Sequence, residues 1–134
     1  MRKPSWSIFA VSAGLVLISA PAFPHHSFAA EYDANKPVTL TGTVTKVEWM
    51  NPHARFYVDV KDDKGLVANW EFELGSPNGL LREGWTRSSL KHGDVVTVTG
   101  ALAKDGTKLV NARKITLADG TQVLGASSQG SEGK

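Results

Sequence analysis

Hydrophobic and polar residues alternate along several short stretches of the chain, which is the pattern of half-buried β-strands. The first stretch runs from Val38 to Trp49, where apolar side chains take every second position and threonines lie between them. Most of these residues are β-branched, which favours a strand. Gly42 inside the stretch predicts a bend, and a change of apolar phase near Lys46 predicts a bulge.

The same alternation recurs downstream and predicts the remaining strands, which are 54–60, 67–74, 95–100, 109–117 and a short return through Val123. Between the third and fourth strands, Ser76 followed by Pro77 is typical of a helix N-cap with proline in the first turn. A short helix over roughly 77–83 is therefore predicted, with Leu80 and Leu81 facing the core.

This order of elements predicts a mainly β fold, a small five-to-six-stranded OB-like barrel with one short helix between strands 3 and 4. A small β-sandwich or another barrel of five to six strands is the alternative. The barrel domain is predicted to span residues 38–124. The Gly/Ser-rich tail over residues 125–134 is predicted to be disordered.

The N-terminus has the features of a secretory signal peptide over residues 1–22. Arg2 and Lys3 are followed by an apolar run from Trp6 to Ile18 and by an A-x-A site at Ala20–Ala22. The apolar run is shorter than the about 20 residues that a transmembrane helix needs, although an uncleaved anchor is the alternative. Residues 23–37 would then be an N-terminal arm or short helix, and the mature protein would be periplasmic or secreted by a bacterium, without membrane association.

The charge composition of the chain limits the classes of molecule that it is expected to bind. The 134 residues include 15 basic and 13 acidic side chains, and removal of Arg2 and Lys3 with the leader would leave 13 of each. No basic stretch remains to bind nucleic acid, so no nucleic-acid partner is expected. The chain has no cysteine, so stability is expected to come from one hydrophobic core without disulfides.

Four segments together resemble a known family: HHSFAAEYD (25–33), WMNPH (49–53), WEFELGSPNGLLREGW (70–85) and HGDVVTVTG (92–100). The family consists of small bacterial exported proteins and is catalogued only as a domain of unknown function. The resemblance covers nearly all of the mature chain and implies export and a compact, mostly β domain. It implies no activity and no catalytic or binding residues.

Histidines are the candidate metal ligands of this chain. Imidazole suits copper, zinc and nickel, and His25, His26 and His53 would form a site if the arm folds back to the Asn51–Pro52 turn. Copper is the candidate cofactor: cleavage directly before His25 would let its amine and ring clamp one copper ion. Cleavage after Ala22 would instead place His25 third, where Pro24 has no N–H for the usual amide-chelating site. The alternative is that His25 and His26 are solvated and that His53 only caps its turn. His92 is interpreted as a surface residue.

Trp49, Arg55 and Tyr57 are the candidate residues for binding a small ligand. Trp49 and Tyr57 lie off the main inward face and would offer stacking surfaces, and arginine recognises carboxylates or phosphates. Arg55 could equally pair with Glu48 or Glu73 across strands. The remaining aromatic candidates, Trp70 and Trp85, are interpreted as packing residues.

No catalytic constellation accompanies the closely spaced carboxylates Glu71 and Glu73, so the protein is predicted not to be an enzyme. The predicted function is an exported, non-catalytic binding module for an unidentified small ligand or a transition metal ion. The alternative is a structural domain that docks a partner protein of the cell envelope. A hydrolase that uses Glu71 or Glu73 is a third hypothesis.

Overall fold

The computed structural model of the protein describes residues 28–126. The predicted signal peptide, the pair His25–His26 and the tail from residue 127 onward lie outside the described residues. Within the described range, two short helices and six strands follow in the order α1 (Phe28–Glu31), β1 (Tyr32–Glu48), β2 (Arg55–Lys61), β3 (Val67–Glu73), α2 (Pro77–Arg82), β4 (Val95–Ala103), β5 (Leu109–Leu117) and β6 (Gln122–Leu124).

The strands form one mainly antiparallel sheet in the order β3-β2-β1-β4-β5-β6. Strand β3 also pairs in parallel with β5, where Glu71–Glu73 of β3 lie opposite Leu109–Asn111 of β5. This pairing joins the two sides of the sheet. Hydrogen bonds therefore run in a ring through the first five strands, and β6 extends the sheet from β5. The predicted mainly β class and the helix between β3 and β4 are confirmed.

Strand β1 pairs with two neighbouring strands, and two of its features, Gly42 and a bulge near Lys46, allow this. Its first part pairs with β4 and its last part with β2, and Gly42 pairs with both Val60 and Val96. A Cβ atom on Gly42 would lie 2.1 Å from the carbonyl oxygen of Asp59, so only glycine permits this close approach. The register shifts between Val44 and Lys46, which confirms the predicted bulge.

The structure starts β1 six residues earlier than the alternation predicts, at Tyr32 instead of Val38. Tyr32 and Asp33 pair with Ala103 and Leu102 of β4, and an irregularity follows before pairing resumes at Pro37. The segment 32–37 has no alternating pattern, so its extended form depends on the neighbouring strand. A short helix does lead into the first strand, as predicted, but it ends at Glu31.

The interior of the ring is apolar and closely packed. Phe56 and Phe72, from neighbouring strands, stack with their ring centroids 5.0 Å apart. The other fully buried large side chains of this interior cluster are aliphatic: Val44, Val58, Leu74, Leu80, Val96, Val98, Val110 and Ile115. On β2, Phe56, Val58 and Val60 face this interior, as the alternation over residues 54–60 predicts.

Helix α2 begins as predicted, since the Ser76 hydroxyl accepts a hydrogen bond from the Gly79 amide at 3.1 Å. Leu80 is fully buried, but Leu81 is 53% exposed, so the prediction that both leucines face the core is wrong for Leu81. A helix of six residues offers only one narrow face to the core. Trp85 is buried beyond the helix, and its indole nitrogen donates to the Leu124 carbonyl at 2.9 Å.

A second, smaller apolar cluster lies on the outer face of the sheet. The register of β4 shifts between Thr99 and Gly100, after which Ala101 and Ala103 pack against Phe28 and Tyr32. Helix α1 thus covers part of the outer face near the β3–β5 junction. Within residues 28–126, neither helix is long and apolar enough to cross a membrane.

Candidate functional site

The most buried charged side chain of the described chain belongs to Glu73, at the end of β3. Alternation along β3 points Phe72 into the ring and leaves Glu71 and Glu73 on the outer face. Glu73 is nevertheless only 3% exposed, because the N-terminal segment with Tyr32 covers this end of the strand.

Three side chains from separate parts of the chain contact the Glu73 carboxylate. The Tyr32 hydroxyl donates to Oε2 at 2.8 Å. His53 Nδ1 lies 3.0 Å from Oε1, and Arg55 Nη2 lies 3.5 Å from Oε2. A buried carboxylate is costly unless such donors surround it, so these contacts explain how Glu73 is accommodated.

His53 belongs to the loop over residues 49–54 that joins β1 to β2, and its ring is about one-third exposed. The Asn51–Pro52 peptide before it is cis, and the Ala54 backbone after it exchanges hydrogen bonds with Leu74 and Gly75. This pairing places His53 beside the end of β3. Because a carboxylate only accepts hydrogen bonds, we infer that Nδ1, 3.0 Å from it, carries the hydrogen and that Nε2 carries the lone pair in the neutral ring.

The Tyr32 hydroxyl is held in its protonated form. Burial raises the pKa of Tyr32 well above its ordinary value, and the negative charge of Glu73 raises it further. The same hydroxyl is the donor to Oε2, so the direction of the shift agrees with the geometry.

A more exposed network continues from Glu73 along the outer face of β1, β2 and β3. Arg55 Nη1 pairs with Glu71 Oε1, and Tyr57 Oη lies 3.4 Å from both Glu71 and Glu48. Lys46 Nζ pairs with Glu48 at 2.5 Å. Burial alone would lower the pKa of Arg55, but the hydrogen bond and charge of Glu71 raise it. Desolvation, followed by the charges of Glu71 and Glu48, raises the pKa of Tyr57.

The structure separates the three residues predicted to bind a small ligand. Arg55 and Tyr57 lie on the outer face, two positions apart on β2, whereas Trp49 is partly buried and packs against the interior cluster. Of the two alternative partners predicted for Arg55, Glu48 and Glu73, the structure brings Glu73 to 3.5 Å, and it adds a closer pairing with Glu71. Ligand binding by Trp49, Arg55 and Tyr57 stays a prediction.

Of the three predicted metal ligands, His53 lies within the described residues, and His25 and His26 lie outside them. Across residues 28–126, no group of three or more histidine, aspartate or glutamate side chains is arranged to hold a metal ion. If His53 binds a metal ion, the other ligands of that ion would therefore have to come from outside residues 28–126. His92 is exposed in the turn before β4, as predicted.

Sequence reasoning did not identify Tyr32 as part of this site. Tyr32 and Glu73 are 41 positions apart, and no local pattern relates them. Their shared feature in sequence is only a hydrogen-bonding side chain outside the apolar positions of the predicted strands. That feature applies to many surface residues, so only the fold selects this pair.

Comparison of the chain with curated proteins and with solved structures gave no match. A family model does match residues 12–111, which is about three-quarters of the chain. It covers the start of β1 with Tyr32, the β1–β2 loop with His53, and all of β3 with Glu73. The chain belongs to this family, which is described as a family of unknown function (DUF6152).

Proposed function

We propose that this protein is an exported, non-catalytic binding module that takes a transition metal ion such as copper, with His53 as one of its ligands. The observation that carries the proposal is the 3.0 Å contact between His53 Nδ1 and the buried Glu73 carboxylate. Histidines that bind metals commonly donate their second ring nitrogen to a carboxylate, which fixes the tautomer and orients the ring. Here that arrangement directs the Nε2 lone pair away from Glu73.

His25 and His26 are the proposed additional ligands. Phe28, two residues after His26, packs its ring 5.4 Å from that of Tyr32, and Tyr32 shares the Glu73 carboxylate with His53. Two residues of extended chain span about 7 Å. The covalent connection therefore limits how far His26 can lie from Phe28, which is the support for including it in the proposed ligand set.

The arrangement of strands supports an OB-like barrel as the finer description of the fold. OB-folds are five-stranded Greek-key barrels that bind their ligands on strands 2 and 3 and in the loops that join strands 1–2 and 4–5. His53 lies in the loop between β1 and β2, and Arg55 and Glu71 lie on β2 and β3. The proposed site thus uses the surface on which such barrels bind ligands.

The contacts of the two carboxylates support a non-catalytic role. A general acid or base must reach its substrate within hydrogen-bonding distance. The Glu73 side chain is 4% exposed and already faces three donors, and Glu71 is paired with Arg55. We propose export on the basis of the N-terminal leader pattern, so the site would operate in the periplasm or outside the cell.

Isothermal titration of the mature protein with Cu(II), followed by EPR, tests this function. We expect one copper per chain, with nitrogen hyperfine coupling from imidazole. His53→Ala should weaken binding at least tenfold, as should His25→Ala combined with His26→Ala. His92→Ala is the matched control, because it removes an exposed histidine from a different turn.

Two results would contradict the proposal. One is the absence of tight binding of copper, zinc and nickel by the unaltered mature protein. The other is equal binding by His53→Ala and His92→Ala. Native mass spectrometry of the mature protein reports its N-terminal residue and its bound metal together, so it tests export and metal content in one measurement.

A second candidate function, the docking of an envelope protein, is favoured by one edge of β3. Among the described residues, β3 pairs with β5 only from Glu71 to Glu73, so its opposite end keeps an open edge. Beside this edge, Leu66 is 66% exposed and Val67 is 58% exposed. Open strand edges with exposed apolar side chains are sites where an extended segment of another protein can add a strand.

Photo-crosslinking in intact cells distinguishes this second function. A crosslinking amino acid at Leu66 should give one adduct of defined mass, whereas the same probe at exposed Leu81 on helix α2 should give none. If both positions give only uncrosslinked protein, the docking function is wrong, and metal binding is unaffected by that result.

A further inference from the structure

We infer that Tyr32 is a positioning residue for His53: its hydroxyl holds the Glu73 carboxylate in the orientation that selects the His53 tautomer, and so couples helix α1 to the β1–β2 loop. The importance of this coupling for metal affinity rests on the proposed function. The coupling itself concerns the metal-free protein and can be tested without a metal.

The two carboxylate oxygens of Glu73 serve different parts of the chain. Oε1 faces His53 Nδ1 at 3.0 Å, and Oε2 accepts from the Tyr32 hydroxyl at 2.8 Å. The third neighbour, Arg55 Nη2, is farther from Oε2, at 3.5 Å, and the same guanidinium pairs with Glu71. Tyr32 therefore makes the shortest contact with Oε2, and its loss would leave that oxygen with a distant and shared donor.

Tyr32 is itself rigidly placed by contacts that do not involve its hydroxyl. Its ring packs with Phe28, Ala101 and Ala103, and its backbone pairs with Ala103 on β4. The Lys104 amide also donates to the Glu31 carbonyl at 2.9 Å, which fixes the end of α1. Tyr32→Phe should therefore keep the ring in place and remove only the hydroxyl.

This placement gives the N-terminal segment an influence on the β1–β2 loop. Phe28 and Tyr32 form one side of the outer apolar cluster, and the hydroxyl extends from that cluster to Glu73. A displacement of α1 would withdraw the donor from Oε2. The carboxylate would then be free to turn, and His53 Nδ1 would lose its fixed acceptor. Docking of α1 and orientation of His53 are thus linked through one side chain.

The test is the ring ¹⁵N spectrum of His53 in metal-free mature protein, recorded at several pH values up to about 9 so that the neutral ring is observed. In the unaltered protein we expect the shifts of a single tautomer with hydrogen on Nδ1. In Tyr32→Phe we expect shifts averaged between the two tautomers. Tyr57→Phe is the matched control, because the Tyr57 hydroxyl lies near Glu71 and Glu48 and does not contact Glu73.

A packing variant separates the hydroxyl from the apolar contacts. Phe28→Leu perturbs the outer cluster but retains the Tyr32 hydroxyl, so it should preserve the His53 tautomer. Unchanged His53 shifts in Tyr32→Phe would overturn the inference. A change in Phe28→Leu as large as that in Tyr32→Phe, with the backbone amide signals of α1 unchanged, would also overturn it, since packing would then explain the effect without the Tyr32 hydroxyl. Backbone amide spectra show whether each variant is folded.

Copper titration of the same variants separates this inference from the proposed function. Loss of a group that orients a ligand typically lowers metal affinity 10–100-fold, so Tyr32→Phe should bind Cu(II) about tenfold more weakly than Tyr57→Phe. If the unaltered protein binds no metal, the proposed function fails, and the tautomer measurement still decides the coupling. If metal binds but Tyr32→Phe retains both the tautomer and the affinity, the coupling fails alone.

Discussion

The interior cluster of the ring and the Glu73 carboxylate at the centre of the polar cluster are both buried, but they depend on their neighbours in different ways. Phe56, Phe72 and the aliphatic side chains around them need only shape and volume, so each makes many weak and interchangeable contacts. Glu73 depends on three specific donors, from α1–β1, the β1–β2 loop and β2. The interior cluster therefore stabilises the fold, whereas the polar cluster makes distant segments depend on one another.

The largest expected effect comes from emptying the interior cluster. Phe72→Ala removes one ring of the stacked pair at a fully buried position, and we expect a loss of about 4 kcal/mol in the free energy of unfolding. Urea unfolding followed by tryptophan fluorescence measures it. Val67→Ala, at an exposed position on the same strand, should change stability by less than about 0.5 kcal/mol. Equal losses in the two variants would contradict the assignment of Phe72 to the core.

The next effect comes from removing the acceptor of the polar cluster. Glu73→Ala leaves Tyr32, His53 and Arg55 facing a site without a carboxylate, and removing one partner of a buried charged group costs about 3 kcal/mol. Glu71→Ala is the control on the same face of β3. Its side chain is about one-third exposed, so the loss should stay below about 1 kcal/mol. A larger loss of unfolding free energy in Glu71→Ala than in Glu73→Ala would contradict the conclusion that the buried carboxylate contributes more to stability than the more exposed one.

A third variant tests how closely the strands of the ring approach. Gly42→Ala would bring a Cβ to 2.1 Å from the Asp59 carbonyl oxygen, so the backbone must shift. Such overpacking costs about 2 kcal/mol. Thr43→Ala, at the exposed neighbouring position, should cost less than about 1 kcal/mol by the same urea titration. A neutral Gly42→Ala variant would show that β1 and β2 can separate without loss.

The smallest expected effect is a pH dependence that only the polar cluster should show. Burial and the charge of Glu73 raise the pKa of Tyr32 in the folded protein, whereas an unfolded tyrosine has a pKa of about 10. Above about pH 10 the unfolded state loses this proton and the folded state keeps it. Stability should therefore fall with rising pH, by up to about 1.4 kcal/mol per pH unit from this group.

Urea titrations between pH 8 and pH 11 measure this slope. Tyr32→Phe has no proton to lose at this position, so its stability should fall less steeply than that of the unaltered protein above about pH 10. Parallel pH curves for the two proteins would mean that the Tyr32 hydroxyl titrates alike in the folded and unfolded states, against the burial and the Glu73 contact seen here.

The two regions also differ in how much of them the sequence predicts. Phe56, Val58 and Val60 alternate with polar residues, so their inward direction follows from the two-residue period of a strand. The bulge near Lys46 was visible as a change of phase, and the start of α2 was visible in Ser76 and Pro77. In the polar cluster, the sequence offers only the pairing of Arg55 with Glu73, as one of two alternatives, and the strand register that places these two residues opposite each other decides it.

The exposed position of Leu81 and the early start of β1 show where local patterns fail. Leu81 follows Leu80 in a helix too short to bury two adjacent side chains against one surface. Residues 32–37 have no apolar period, and the pairing of Tyr32, Asp33 and Pro37 with β4 on either side of an irregularity accounts for their place in the strand. In both cases a distant surface decides the outcome.

The sequence by itself determined the number and order of the strands, the short helix after β3 and the family to which the chain belongs. These follow from local periodicity, turn residues and recognisable segments, all of which act over a few neighbouring positions. Only the tertiary structure decided that the ring of hydrogen bonds runs through β3 and β5, and that Tyr32, His53 and Arg55 meet at Glu73. The physical reason is that these contacts join residues up to 41 positions apart, whose proximity depends on the packing of the whole sheet.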